Sequence, residues 1–213
     1  MNNNTGISEL TVGEVLSALS SDRPDWGGGS AVLLGAAMGT CLLAMAARIS
    51  AAGVRQGKLA GCAFSAEELD NVGSELAAQA DELADWAARD GALYGKVVEA
   101  QRLPKEEPEV RSAAVEKALR GAIEGPLQAA EMMLQILHRA EELAGCCKKA
   151  NISDVQSGVQ LVLQGVRGVL LNVKQNCGSR ECFAAQKQSA LVCAEQTEAL
   201  AAKILAACAD RVK

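Results

Sequence analysis

Aromatic residues are nearly missing from this sequence. Among 213 residues there are two Trp, one Tyr and two Phe, 2% together, although hydrophobic residues make up 49%. Alanine, leucine and glycine supply the apolar mass, and side chains that thin let helices approach closely. Histidine is scarcer still. The only one, His138, lies in Leu134-Gln-Ile-Leu-His-Arg139 with no second ligand at matching spacing, and the eight cysteines include no C-x-x-C pair. The spacing therefore offers no zinc site, no Ser-His-Asp set and no other metal or cofactor motif. An excess of basic charge is also lacking: 26 acidic against 21 basic residues leave a net charge of −5. Broad nucleic-acid binding needs a dominant basic face, so no nucleic-acid partner is expected. Met1-Asn-Asn-Asn-Thr5 has neither the basic start nor the apolar run of a secretory leader. Cys41, Cys193 and Cys208 fall in apolar helical stretches, where reduced thiols act as small hydrophobes, so a cytoplasmic location is expected.

Alternating β-branched runs, fixed-period repeats and linker-like segments are absent too. What is present reads as helix after helix, an all-α, elongated antiparallel bundle in a single domain over residues 1–213. Thr11-Val-Gly-Glu14 is a capping box opening a short helix that ends near Ser20. An apolar helix is expected from about Ser30 to Ala52, and residues 53–64 connect it to a second capping box, Ser65-Ala-Glu-Glu68. Leu69, Val72, Leu76, Ala80, Leu83 and Ala87 then form a helical stripe, with a bend near Gly91 and an end at Pro104. Pro108 suits the first turn of the next helix, which Gly125-Pro126 should interrupt before a further helix to about Lys149. Asn151 and Ser153 mark a turn and cap before a helix through Asn176, and a last helix covers about 180–211. The uncharged run 27–47 has membrane-spanning length, but it is rich in Ala and Gly and stands alone, so a buried helix is the expectation and no membrane partner is assigned. Gly35-x-x-x-Gly39 within it suits either a core or a two-fold interface between copies.

The densest local signal is Arg23-Pro-Asp-Trp-Gly-Gly-Gly-Ser30 running into that apolar helix. Three glycines bring backbone N–H groups forward where side chains would obstruct. With Ser30 as a cap, the helix start would present free N–H groups and a positive dipole end to an anion. A plain tight turn is the alternative.

Residues 27–50 resemble the opening of the cyclodeaminase/cyclohydrolase family of folate enzymes, which usually reads Pro-x-Pro-Gly-Gly-Gly-Ser here. Three further blocks are similar, in order: Asp90-Gly-Ala-Leu-Tyr94; Ala100-Gln-Arg-Leu-Pro-Lys105 with Arg111; and Asn151-Ile-Ser-Asp154 with Asn172-Val-Lys-Gln-Asn176. The resemblance spans about 8–210. Trp26 replaces the family's second proline, and Arg89 stands where an acidic residue often precedes the aspartate.

The resemblance implies a homodimeric folate enzyme that uses no cofactor beyond its tetrahydrofolate substrate. The preferred activity is hydrolysis of 5,10-methenyltetrahydrofolate to 10-formyltetrahydrofolate. Release of ammonia from formimidoyltetrahydrofolate is the alternative, and a catalytically silent helical scaffold stays open. Both reactions pass through a tetrahedral carbon and need proton transfers rather than a covalent nucleophile. The expected catalytic residues are Asp90, Tyr94, Lys105 and Asp154; the expected substrate-binding residues are Gly27, Gly28, Gly29, Ser30, Arg111, Asn151, Asn172 and Asn176. Asp90 and Tyr94 share a helix face, as do Asn172 and Asn176, whose amides could meet a pterin edge or bridge helices. Asn151 and Asp154 also suit helix capping, and Lys105 and Arg111 also suit plain surface charge.

Overall fold

Six helices carry the chain in a computed structural model that describes residues 7–22, 26–59 and 62–212. They are α1 (Val12–Leu19), α2 (Gly28–Arg55), α3 (Ala66–Gln101), α4 (Pro108–Cys146), α5 (Ile152–Cys177) and α6 (Ala184–Val212), with 3-10 turns at Ile7–Glu9, Lys149–Asn151 and Glu181–Phe183. Strands are absent among the described residues. Both expected capping boxes form: Thr11 with Glu14 and Ser65 with Glu68. Arg23–Asp25 at the head of the glycine stretch, the first residues 1–5 that lack a leader pattern, and residues 60–61 of the α2–α3 connection lie outside the described residues.

The long helices run antiparallel, and contacts between them show it. Along α2 and α5, Val32 faces Gly168, Ala36 faces Gly165, and Gly39 faces Gly158. Along α3 and α4, Trp86 meets Gly125 and Leu93 meets Gly121. The α2–α5 seam depends on the absence of side chains. A Cβ on Gly39 would come within 2.7 Å of the Gly158 carbonyl, and one on Gly158 within 2.8 Å of the Gly39 carbonyl. The apolar length of α2 that could suit a membrane is thus largely used in packing against α3 and α5. One core runs through all five long helices.

Three expectations need correction. The helix start is Gly27, in extended backbone, so Ser30 sits inside the first turn and is not the cap. Ser153 is likewise inside α5, whereas Asn151 does take the N-cap position, though its side chain makes no cap bond. Most tellingly, Gly125-Pro126 does not interrupt α4, which continues unbroken to Cys146. Proline removes the N–H that would bond the carbonyl four residues earlier, here Ala122. Asn176 Nδ2 donates to that Ala122 carbonyl at 3.0 Å, so α5 satisfies the orphan.

Candidate active site

The antiparallel arrangement brings four helix segments to one place: the start of α2, the middle of α3, the Pro126 turn of α4 and the end of α5. Between them lies a cleft of about 250 Å³. Trp26 and Gly27–Gly29 form one wall, Asp90 and Tyr94 of α3 another, and Asn172, Gln175 and Asn176 of α5 a third.

Asp90 is its central charged group. The first intrahelical bond of α2 runs from the Ala31 N–H to the Gly27 carbonyl at 3.1 Å, so the N–H groups before it have no helical acceptor. The Asp90 carboxylate occupies this end of α2, an anion at a positive helix terminus. Burial pushes the Asp90 carboxyl above the ordinary carboxylate range, while the Ser30 N–H and, less strongly, its hydroxyl pull the other way. The Ser30 hydroxyl is fully buried without a hydrogen bond of good geometry, so the N–H is the interaction that counts.

The glycines matter here through space rather than backbone conformation. Among the described residues only Gly57 and Gly178 have positive φ. A Cβ on Gly29 would collide with the Asp90 carboxylate and come within 2.6 Å of Asn172 Nδ2. Gly28 has open space around a would-be Cβ, and its bare backbone leaves the cleft mouth unobstructed.

Seven expected residues therefore line one cleft: Gly27, Gly28, Gly29, Asp90, Tyr94, Asn172 and Asn176, with Ser30 directly behind Asp90. Tyr94 is 54% exposed and is a rim residue rather than core. Asn176 has its amide donor committed to Ala122, which leaves its carbonyl oxygen for a ligand. Four others are placed elsewhere. Lys105 and Arg111 line a neighbouring cleft at the α3–α4 connection. Asn151 and Asp154 bond to each other at 3.3 Å at the opposite end of α5. Eighteen residues separate Asp154 from Asn172, about 27 Å of helix, so within one protomer Asp154 cannot reach the Asp90 cleft. Trp26 and Gln175 line the cleft and were not among the expected site residues. Gln175 carries no signal of its own, but its step of three from Asn172 was readable on the helix. Arg89 turns away, stacked over the Trp86 ring at 4.0 Å with its Nε donating to the Asp85 carbonyl, so its departure from the family pattern does not enter the cleft. Among the described residues no three His, Cys, Asp or Glu side chains come together to hold a metal.

The chain is similar to several proteins of named activity. The family described as formiminotransferase-cyclodeaminase matches residues 11–191. The formimidoyltransferase-cyclodeaminase of Mus musculus is 31% identical over 163 residues, covering 70% of this chain but only 27% of the mouse protein. The methenyltetrahydrofolate cyclohydrolase of Methylorubrum extorquens is 29% identical over 169 residues, 78% of each chain. The crystal structure of formiminotetrahydrofolate cyclodeaminase from Thermotoga maritima superposes with a TM-score of 0.79 over 97% of both chains at 20% identity, a match of fold.

Proposed function

The chain belongs to the formiminotransferase-cyclodeaminase family, and from that membership we propose that its Asp90 cleft carries out folate one-carbon chemistry, with methenyltetrahydrofolate cyclohydrolase as the activity. The observation that carries the site assignment is a carboxylate desolvated at a helix N-terminus inside a cleft walled by bare glycine backbone. The methenyl carbon is cationic, and a buried carboxylate attracts it more strongly than a solvated one does. Water adds to that carbon while Asp90 takes its proton. The C–N5 bond of the tetrahedral carbon then breaks as N5 receives that proton back from Asp90, the new hydroxyl loses its remaining proton to solvent, and the one-carbon unit stays on N10 as a formyl group. The raised Asp90 carboxyl suits both steps, because acid and base forms are then closer in energy near neutral pH. Tyr94 at the rim and the Asn172 and Asn176 amides are proposed to hold the pterin edge.

Cyclodeamination is the second reading, favoured by the mouse and Thermotoga names. There N10 attacks the formimino carbon, its proton passes to the formimino nitrogen, and protonated Asp90 supplies the second proton with which that nitrogen leaves as ammonia, giving the methenyl cation. Cyclohydrolysis is placed first on the likeness to the Methylorubrum cyclohydrolase, while the Thermotoga cyclodeaminase matches this chain over 97% of both lengths, so the two assays decide between the readings. Mixing the protein with methenyltetrahydrofolate and following loss of its near-ultraviolet absorbance tests the first reading. Ammonia release from the formimino substrate tests the second, and silence in both assays would leave the scaffold reading. We also propose a homodimer, supported by the exposed apolar residues Met38, Cys41 and Met45 along α2. A cytoplasmic location is proposed from eight free cysteines, five of them buried.

A further inference from the structure

The Asp90 cleft holds a carboxylate without a counter-cation. Among the described residues that line it, Asp90 is the only charged one, and burial rather than a cationic neighbour dominates its surroundings. The N-terminus of α2 offers about half an elementary charge, which balances the carboxylate only in part. Burial still pushes the carboxyl upward, so the cleft as it stands disfavours the ionised form. A ligand that brings positive charge relieves that cost.

The aromatic side chains indicate which kind of cation fits. The chain has five of them, and two, Trp26 and Tyr94, line this one cleft. The other three serve packing: Phe183 is fully buried, and Phe64 and Trp86 lie against the core. Trp26 also rests partly on the core, yet it remains a wall of the cleft. A Cβ on Gly27 or Gly28, which follow it, would meet nothing within 4 Å, so the wall between the indole and Asp90 is open. A hard metal ion asks for about six oxygens in a tight shell. A π face beside one carboxylate suits instead a flat organic cation with diffuse charge.

Resting on the folate reading above, we propose that Trp26 is the specificity residue of this cleft: its indole face takes the flat, cationic methenyl ring system across from Asp90 and favours it over the uncharged, ring-opened form. The proline usual in the family at this position is a saturated ring and offers no π face, so the preference belongs to this chain. The methenyl cation is substrate in cyclohydrolysis and product in cyclodeamination, and Trp26 holds it in either direction. Tyr94, at the rim, closes the edge of the same ring system.

The test compares wild type with Trp26→Leu and Trp26→Phe. Methenyltetrahydrofolate is the cationic form and 10-formyltetrahydrofolate the form with an uncharged ring system; both carry the same tail. Trp26→Leu should raise the KM for the methenyl form (or its product-inhibition constant, in a cyclodeaminase) about tenfold, the size of a partly desolvated cation–π contact, with kcat within about twofold. The inhibition constant of the 10-formyl form should move by no more than about twofold. Trp26→Phe keeps the packing and a smaller π face, so it should show the same selectivity at about a threefold rise. An unmoved constant for the methenyl form overturns the role. So do equal losses for the two forms, which is what a merely structural Trp26 gives. Calorimetric titration with 1-methylquinolinium, a flat cation unrelated to folate, separates this role from the folate reading. Tighter binding to wild type than to Trp26→Leu, without turnover of any folate, keeps the cation site and discards the folate reading. Turnover of a folate by wild type with the methenyl constant unmoved in Trp26→Leu keeps the folate reading and discards the role of Trp26. Binding of neither cation by wild type overturns it as well.

Discussion

At Asp90 two demands meet in one side chain. Its carboxylate completes the first turn of α2 and is also the charged group the cleft offers to a ligand. Asp90→Asn keeps an acceptor for the Ser30 N–H but removes the acid–base group. Turnover should fall at least about a hundredfold, the range of lost general acid–base help. The stability sign follows from the shift. A carboxyl raised in the fold contributes stability below its unfolded value, about 3.9, that is lost as pH rises through the folded value. The variant should therefore melt no lower than wild type at pH 7, and any advantage should vanish below about pH 4. The acid limb of wild-type kcat should lie above the ordinary carboxylate range. An Asn variant with full activity, or an acid limb at the ordinary value, would remove Asp90 from the mechanism. Gly29→Ala asks the same question sterically. Its methyl displaces Asp90 and Asn172, so kcat should fall together with a loss of about 1–3 kcal/mol, while far-ultraviolet circular dichroism stays helical.

Among the elements, α4 is the one whose continuity depends on another helix. The Asn176 amide serves Ala122, so Asn176→Ala leaves a carbonyl without a partner and should cost about 1–3 kcal/mol in chemical denaturation. In a Pro126→Ala background residue 126 regains its N–H and bonds Ala122 itself, so the same Asn176→Ala change should cost much less. Equal costs in both backgrounds would show that Asn176 is not what holds the turn. This is also why the sequence reads as a break in α4: Pro126 is a local stop signal, and its remedy lies fifty residues away on α5. The other boundaries were legible because their causes are local, namely the Thr11 and Ser65 capping boxes and Pro108 at the first turn of α4. Ser30 misled for the opposite reason. A Ser before an apolar run looks like a cap, but the bare Gly27 starts the helix, and the group at its end comes in trans from α3. Spacing correctly paired Asp90 with Tyr94 and Asn172 with Asn176, because four residues on a helix is a statement about one face. It could not show that Asp154 and Asn172 point to opposite ends of the bundle, or that Lys105, Arg111 and Arg180 share a cavity, since both depend on how separate helices pack.

On the scale of the whole molecule, the two glycines of Gly35-x-x-x-Gly39 have separate duties. Gly39 is buried against the Gly158 backbone, whereas a Cβ on Gly35 would meet nothing within 4 Å. The residues that follow Gly35 outward along α2 are Met38, 56% exposed, then Cys41 and Met45, a helical stripe of apolar side chains facing away from the core. A stripe that begins with a glycine allows two such helices to approach closely across a two-fold axis. The protein should therefore sediment and scatter as twice its 22.1 kDa chain mass at micromolar concentration. Met38→Glu/Met45→Glu places like charges opposite one another across that axis and should yield monomers with unchanged helicity, because neither side chain belongs to the core. The groove between α5 and α6, where Leu171 and Leu191 are exposed, is the competing surface. A dimer that survives the α2 substitutions but dissociates on Leu171→Glu/Leu191→Glu would move the interface there. A wild-type monomer in light scattering would leave both faces without a second copy.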